Sequence, residues 1–95
     1  MFARITPYKL KAGTVEAATA RARELKPEIM ALPGMINFTN VLNADGSGYV
    51  ISLVESREVS DGNIERVRNI WSKMGEFLAE MPVPEGYDVV DHWTA

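Results

Sequence analysis

The sequence predicts an α+β domain of the ferredoxin-like class, with the order β-α-β-β-α-β and an antiparallel four-stranded sheet that carries two helices on one face. Two observations support this prediction. Segments with alternating apolar residues and segments with apolar residues every three or four positions follow one another in that order. The 95 residues leave almost no linker, so we expect a single domain over residues 1–95.

The first strand and the first helix occupy the N-terminal third of the chain. Residues 2–10 alternate between two side-chain sets and form the predicted first strand. Pro7 has no N–H to donate, so we expect this strand to be bulged or unpaired there. Residues 14–32 carry apolar side chains at helical steps. Pro27 lies inside this helix, which predicts a kink or a break near Lys26.

The middle of the chain predicts a β-hairpin. Residues 35–43 form the second strand and residues 49–55 the third, and Asp-Gly-Ser-Gly at 45–48 is a favourable turn between them. The third strand is almost continuously apolar, which predicts burial on both of its faces.

The C-terminal part predicts a second helix and a last strand. Ser60 and Asp61 open the helix, its apolar face extends from Ile64 to Met81, and the last strand covers residues 87–93. Two helices can cover only one face of the sheet. We therefore expect the uncovered face to meet a second copy of the chain in a homodimer.

Composition excludes several classes of function. The net charge is −3 with acidic and basic residues interspersed, which does not fit a nucleic-acid partner. The absence of cysteine excludes disulfides and thiolate sites, and a single histidine excludes a multi-histidine metal site within one chain. The N-terminus does not look like a signal peptide and no apolar run is long enough to span a membrane, so we expect a cytoplasmic protein with no membrane partner.

Four stretches of the sequence are similar to a known family: FARITPYKLKAG, ALPGMINF, ISLVESRE and YDVVDHW. With them the chain resembles the antibiotic biosynthesis monooxygenase (ABM) domain of the dimeric α/β-barrel superfamily. The resemblance implies a homodimer, and it implies activities that include cofactor-free oxygenation of aromatic compounds, quinol oxygenation and haem degradation. Haem-degrading relatives have an Asn on the first strand and a His on the second helix. This chain has neither, which disfavours haem degradation.

Three polar residues are candidate catalytic groups. His92 is the only histidine, the residue type most often used for proton transfer, so it is a candidate general base for a phenol or an enol. Asn37 and Asn40 are unusual in a strand, lie on opposite faces of it, and are candidate donors to a developing oxyanion. The alternative interpretations are a solvated or interface histidine and exposed polar residues of an edge strand.

Four residues are candidate ligand-binding groups. Trp71 lies on the apolar face of the second helix, where it could stack on a planar ring or serve as a core residue. Phe38, on the second strand, is also a candidate. Arg4 and Tyr8 share a face of the first strand. Arg4 could clamp a carboxylate, or it could form a cross-strand ion pair. The candidate partners for that pair are Glu55 and Asp91.

Two functions remain open from the sequence. The first is a monooxygenase without metal or flavin, acting on a small aromatic or quinone-like substrate. In it His92 removes a proton, Asn37 or Asn40 holds the oxyanion, and Trp71 stacks on the substrate. The second is a non-enzymatic dimeric module that binds a small molecule or has an accessory role. Convergence of His92, Trp71 and one asparagine on a single cavity would favour the enzyme, and an exposed His92 would favour the module.

Overall fold

The computed structural model describes residues 1–95 and has the predicted α+β order, with each predicted helix divided in two. The strands are β1 (Phe2–Lys9), β2 (Met35–Leu42), β3 (Ser47–Val54) and β4 (Glu85–Asp88). The helices are α1 (Val15–Glu24), α2 (Lys26–Met30), α3 (Arg57–Gly62) and α4 (Ile64–Ser72), and a 3-10 turn covers Gly75–Phe77. None of the helices has the length and apolar character needed to cross a lipid bilayer.

The sheet is fully antiparallel and has the strand order β2-β3-β1-β4, which confirms the ferredoxin-like topology. The ladder between β1 and β3 is continuous, and Pro7 pairs with Tyr49 without a bulge. On the side of β1 that faces away from β3, the carbonyl groups of Met1 and Lys9 accept hydrogen bonds from the N–H groups of Val89 and Ala79. By alternation the Pro7 nitrogen faces that side as well, and β4 pairs only as far as Ile5. The missing donor therefore breaks no bond in the sheet.

The two faces of the sheet have different surroundings, because all the helices lie on one of them. Alternate residues of each strand point to opposite faces. The covered face, which meets the helices, carries Arg4, Thr6, Tyr8, Phe38, Asn40 and Ser52. The open face carries Ile5, Asn37, Thr39, Val41, Tyr49 and Tyr87. Burial of β3 on both faces is found at its C-terminal end, at Leu53 and Val54, whereas Tyr49 is exposed.

The first predicted helix breaks where the proline predicts it. Leu25 separates α1 from α2, and Pro27 lies in the first turn of α2. Residues of a first turn donate no N–H to a helical carbonyl, so a proline costs no hydrogen bond there. Leu25 is buried at the break and joins the main core cluster, whose other buried members are Leu10, Ala18, Met74 and Leu78. The break therefore keeps both short helices packed on the sheet.

The second predicted helix starts earlier than Ser60. Ser56 is the N-cap of α3, and its Oγ accepts a hydrogen bond from the Val59 N–H at 3.2 Å. Ser60 is instead buried inside α3. Asn63 separates α3 from α4, and its side-chain Nδ2 donates to the Pro33 carbonyl at 2.9 Å. The second helix is thereby tied to the loop that precedes β2.

The last strand is shorter than predicted and begins earlier. It covers Glu85–Asp88, whereas alternation predicted residues 87–93. Its pairing with β1 extends from Ile5 to Phe2, and the Val89 N–H donates one further bond to the Met1 carbonyl. Residues 89–95 form no regular structure. Val90 and Trp93 in this segment are 89% and 87% exposed.

Candidate functional site

A cavity of about 110 Å³ lies between the covered face of the sheet and helices α1, α2 and α4. We call it the inner cavity. Its walls are mostly apolar, and its polar groups are few: besides the Tyr8 hydroxyl they come from Arg4, Thr6, Thr19, Asn40 and Ser52. An apolar cleft with a small number of placed polar groups is the usual form of a small-molecule site.

Five of the seven candidate residues line the inner cavity: Arg4, Tyr8, Phe38, Asn40 and Trp71. The four that lie on strands share the covered face because they occupy even positions of β1 and β2. Trp71 reaches them from α4, the helix that packs over this face.

Tyr8, Asn40 and Trp71 form the polar and aromatic centre of the inner cavity. The Tyr8 hydroxyl donates a hydrogen bond to Oδ1 of Asn40 at 2.6 Å. The Tyr8 and Trp71 rings are 5.7 Å apart between centroids and inclined at 49°. This bond leaves the Asn40 Nδ2 without a partner in the chain, so its N–H groups are free to donate to a ligand oxygen.

Gly48 makes this contact possible, and the sequence analysis assigned it only to the turn. Tyr8 lies on β1 and Asn40 on β2, with β3 between them. The Tyr8 ring crosses β3 over Gly48, where a Cβ would lie 2.7 Å from the ring and from its hydroxyl oxygen. A side chain at this position would therefore displace the tyrosine.

Tyr8 is protonated at neutral pH. Burial raises the pKa of its hydroxyl above the ordinary value of 10.0, and the amide of Asn40, which could turn an N–H toward the phenolate, lowers it by less. The hydroxyl therefore acts as a hydrogen-bond donor that orients Asn40. It is not a base near pH 7.

Arg4 is held by the second helix and not by the predicted partners. Its Nε and Nη2 donate to Oγ of Ser60 at 3.0 and 2.6 Å, and its Nη2 lies 3.3 Å from Oδ1 of Asp61. The guanidinium also lies 5.3 Å from the centre of the Phe2 ring. The predicted pairing with Glu55 or Asp91 was wrong, because Arg4 faces α3 on the covered face.

Two candidate residues lie away from the inner cavity of their own chain. Asn37 is on the open face, where its Oδ1 accepts a 3.3 Å hydrogen bond from the Thr39 hydroxyl. His92 is exposed in the segment after β4, and its placement on a strand was wrong. The convergence that would favour the enzyme is therefore found for Trp71 and Asn40 only.

A second cavity, of about 520 Å³, opens beside the first, and we call it the outer cavity. It lies between α3, α4 and the segment before β4. The two cavities share Arg4, Ser52 and Trp71 among their lining residues. Arg68 lines the outer cavity, although the sequence analysis gave it no role. The sequence did contain one indication of this position: Arg68 directly follows Val67, which lies on the apolar face of α4.

Solved structures identify the fold. One that is named antibiotic biosynthesis monooxygenase matches with a TM-score of 0.75 and 15% identity, over 96% of this chain and 100% of that one. This chain has the fold of an ABM-like domain. Its match to a protein of unknown function from Nitrosomonas europaea has a TM-score of 0.81 and 11% identity, covering 99% and 93% of the two chains. The match to Rv0793 from Mycobacterium tuberculosis has a TM-score of 0.75 and 17% identity, covering 98% of each chain.

The ABM-like likeness predicted from the sequence is therefore confirmed for the fold. No protein-family model matches the chain, and no curated protein matches it. Identities of 11–17% establish architecture and not activity, because one fold supports many functions.

Proposed function

We propose that the protein binds a small aromatic or quinone-like molecule in the inner cavity. The observation that carries this proposal is the convergence of Trp71, Tyr8 and Asn40 on one apolar cleft. Two aromatic rings offer stacking surfaces to a planar molecule. The Asn40 Nδ2 offers a donor to a carbonyl or phenol oxygen at its edge. Tyr8 holds the amide in the orientation that leaves Nδ2 free.

The size of the inner cavity fits one aromatic ring. Its volume of about 110 Å³ approaches the roughly 150 Å³ of an apolar protein cavity that accommodates benzene. A second fused ring would extend into the outer cavity past Trp71, which lines both. The proposed ligands are therefore hydroxylated one-ring and two-ring aromatics and the corresponding quinones.

Calorimetric titration and thermal shift with naphthol test this proposal, because a ligand that binds only the native state raises the unfolding temperature. Trp71→Leu should weaken binding about fivefold, since an aromatic contact contributes roughly 1 kcal/mol beyond buried area. Trp93→Leu is the matched control, because Trp93 is exposed after β4 and should not affect affinity. Equal affinities of the two variants would contradict the proposal.

A second candidate function is oxygenation of the bound molecule without metal or flavin, favoured by the free donors of Asn40 beside the stacking surface. The reaction of a phenol would be a four-electron oxidation. The para C–H and the hydroxyl lose their hydrogens, one atom of O₂ becomes the new carbonyl oxygen, and the other leaves as water. Asn40 would stabilise the phenolate oxygen. His92 remains the candidate base from the sequence, although it is exposed after β4 and lines neither cavity.

Oxygen consumption and isotopically labelled O₂ test this second candidate. One labelled atom should enter the quinone for each O₂ consumed. His92→Ala should lower the rate by about 10²–10⁴-fold and leave the affinity for naphthol unchanged. If ligands bind and no O₂ is consumed, the binding function stands and the oxygenase is excluded. If His92→Ala keeps the wild-type rate, His92 is not the base.

We also propose a homodimer formed through the open face. Val41, Tyr49 and Tyr87 are exposed on that face, and no helix of the chain covers it. A stable dimer would bury about 2,000 Å² or more in total. Sedimentation at micromolar concentration should give twice the chain mass, and Val41→Glu should give a monomer. Met30→Glu, at an exposed position of α2, should leave the dimer intact. A wild-type monomer would exclude this assembly.

A further inference from the structure

We propose that the ligand of the inner cavity carries a carboxylate, and that Arg68, which lines the outer cavity together with Arg4, binds this group. The inference rests on the proposed binding function and specifies the class of molecule bound. It assigns a role to the arginines of the larger and more polar cavity, which an aromatic ring alone does not explain.

The two cavities adjoin each other between Asn40 and Arg68. Trp71, Ser52 and Val67 line both of them, so the two spaces meet at these side chains. A planar molecule that places its hydroxyl at Asn40 and stacks on Trp71 therefore directs its far end toward the outer cavity. The chemistry of the outer cavity decides which substituent that end can carry.

The combined lining of the two cavities has an unusual charge for this chain. The chain has 13 acidic and 10 basic residues and a net charge of −3. The lining of the two cavities nevertheless includes two arginines and not one Asp or Glu. The other polar groups of the outer cavity are serine hydroxyls and the Asn63 amide. Cations without anions in a cleft with apolar walls favour an anionic ligand, since such walls focus the field.

The two arginines differ in how far they are already neutralised. Arg4 contacts Asp61 and Ser60, and its Nη1 forms no hydrogen bond in the chain. The Arg68 guanidinium takes part in none of the five ion pairs and in no side-chain hydrogen bond of the structure. It therefore keeps its full charge and its whole set of donors. A guanidinium binds a carboxylate through two parallel hydrogen bonds, which makes this group the best match.

The test compares a hydroxynaphthoate, with hydroxyl and carboxylate at opposite ends, with its methyl ester. The two probes share the ring and differ in charge. Calorimetric titration of the wild-type protein should show about tenfold tighter binding of the carboxylate, the value of one charge-assisted contact. This preference should decrease as salt is added, because salt screens the exposed guanidinium.

Arg68→Gln should abolish the preference for the carboxylate. Arg68→Lys should retain part of it, because lysine keeps the positive charge but lacks the two parallel N–H donors of a guanidinium. Arg66→Gln is the matched control: it removes the same charge from the same helix, but Arg66 lines a separate recess between α2 and α4. Its preference should equal that of the wild type.

The outcomes separate this inference from the proposed function. If both probes bind wild-type protein equally and Trp71→Leu weakens both, the aromatic site stands and the carboxylate site is excluded. If the carboxylate is preferred and Arg68→Gln keeps that preference, Arg68 is not its binding group and the inference fails. If neither probe binds, the proposed function and this inference fail together.

Discussion

The two faces of the sheet are formed by alternate residues of the same strands, yet they differ in burial and in chemistry. On β3, Val54 of the covered face is 4% exposed, whereas Tyr49 of the open face is 52% exposed; the open face is buried where Ala3 pairs with Leu53. Both faces are rich in apolar side chains. The difference therefore comes from the position of the helices and not from strand composition. One face became a cavity, and the other remains an uncovered surface.

The two asparagines of β2 show what this difference does to identical side chains. Asn40 lies in the inner cavity and is held by the Tyr8 hydroxyl at 2.6 Å. Asn37 lies on the open face and has only a 3.3 Å contact with Thr39, its neighbour on the same strand. Both asparagines are exposed, but Asn40 is oriented by a partner on another strand at the edge of an apolar cavity, which Asn37 is not.

The largest expected effect is the difference in stability between two valine substitutions, one on each face of the sheet. Val54→Ala should lower the free energy of unfolding by about 2–3 kcal/mol, because it removes two buried methyl groups and leaves a cavity. Val41→Ala on the open face should change it by less than about 0.5 kcal/mol. Chemical denaturation at low protein concentration measures both. Equal effects would mean that the open face is as buried as the covered one.

The next effect concerns Gly48, the residue of β3 over which the Tyr8 ring passes. A Cβ on Gly48 would clash with the Val41 carbonyl oxygen and lie 2.7 Å from Tyr8. Gly48→Ala should lower the free energy of unfolding by about 1–3 kcal/mol and weaken naphthol binding. Gly62→Ala in α3 meets no atom within 4 Å and should be neutral or stabilising by up to about 1 kcal/mol. If Gly48→Ala binds naphthol as tightly as the wild type, the position of Tyr8 does not contribute to ligand binding.

The smallest effect is the loss of a single hydrogen bond in the inner cavity. Tyr8→Phe should cost about 0.5–1.5 kcal/mol, because it removes the bond to Asn40. Tyr49→Phe on the open face, the matched control, should cost less than about 0.5 kcal/mol. Denaturation curves of both variants near neutral pH measure this difference.

The same variant gives a prediction for alkaline pH. Burial raises the pKa of Tyr8 in the folded state above its unfolded value of 10.0. The stability that the protonated hydroxyl contributes is thus complete below pH 10.0 and is lost as pH rises through the folded-state pKa. Tyr8→Phe should lose less stability than the wild type above pH 10.0. If the free energies of unfolding of the two proteins fall in parallel at alkaline pH, the Tyr8 hydroxyl ionises as it does in water and the prediction is wrong.

Local signals in the sequence predicted most of the fold. Alternation defined β1 and the hairpin, and Pro27 predicted the break at Leu25, because a proline acts on its own helical turn. The start of the second helix was missed because Ser56 and Ser60 are both acceptable caps, and packing selects between them. The last strand was misplaced because its bounds follow from its pairing with β1, between Phe2 and Ile5, which alternation within residues 87–93 does not show.

The site was predictable as far as strand parity could define it. Arg4, Tyr8 and Asn40 were placed on their faces by counting along a strand, and the structure brings them to one cavity with Trp71. The contact between Tyr8 and Asn40 was not predictable, because it crosses a third strand. The same holds for Arg68, whose exposure to the outer cavity depends on the segment that approaches α4 from the C-terminal side.

Strand β2 contains one irregularity, at Ile36. Met35 pairs with Val54 and Asn37 with Leu53, so Ile36 between them opposes no residue of β3. Deleting Ile36 would leave Met35 and Asn37 as neighbours that already point to opposite faces. The chain can thus shorten by one residue here without moving Asn40 off the cavity. Elsewhere in the strand a one-residue deletion would exchange its faces. Natural length variation within β2 is therefore expected to concentrate at this position.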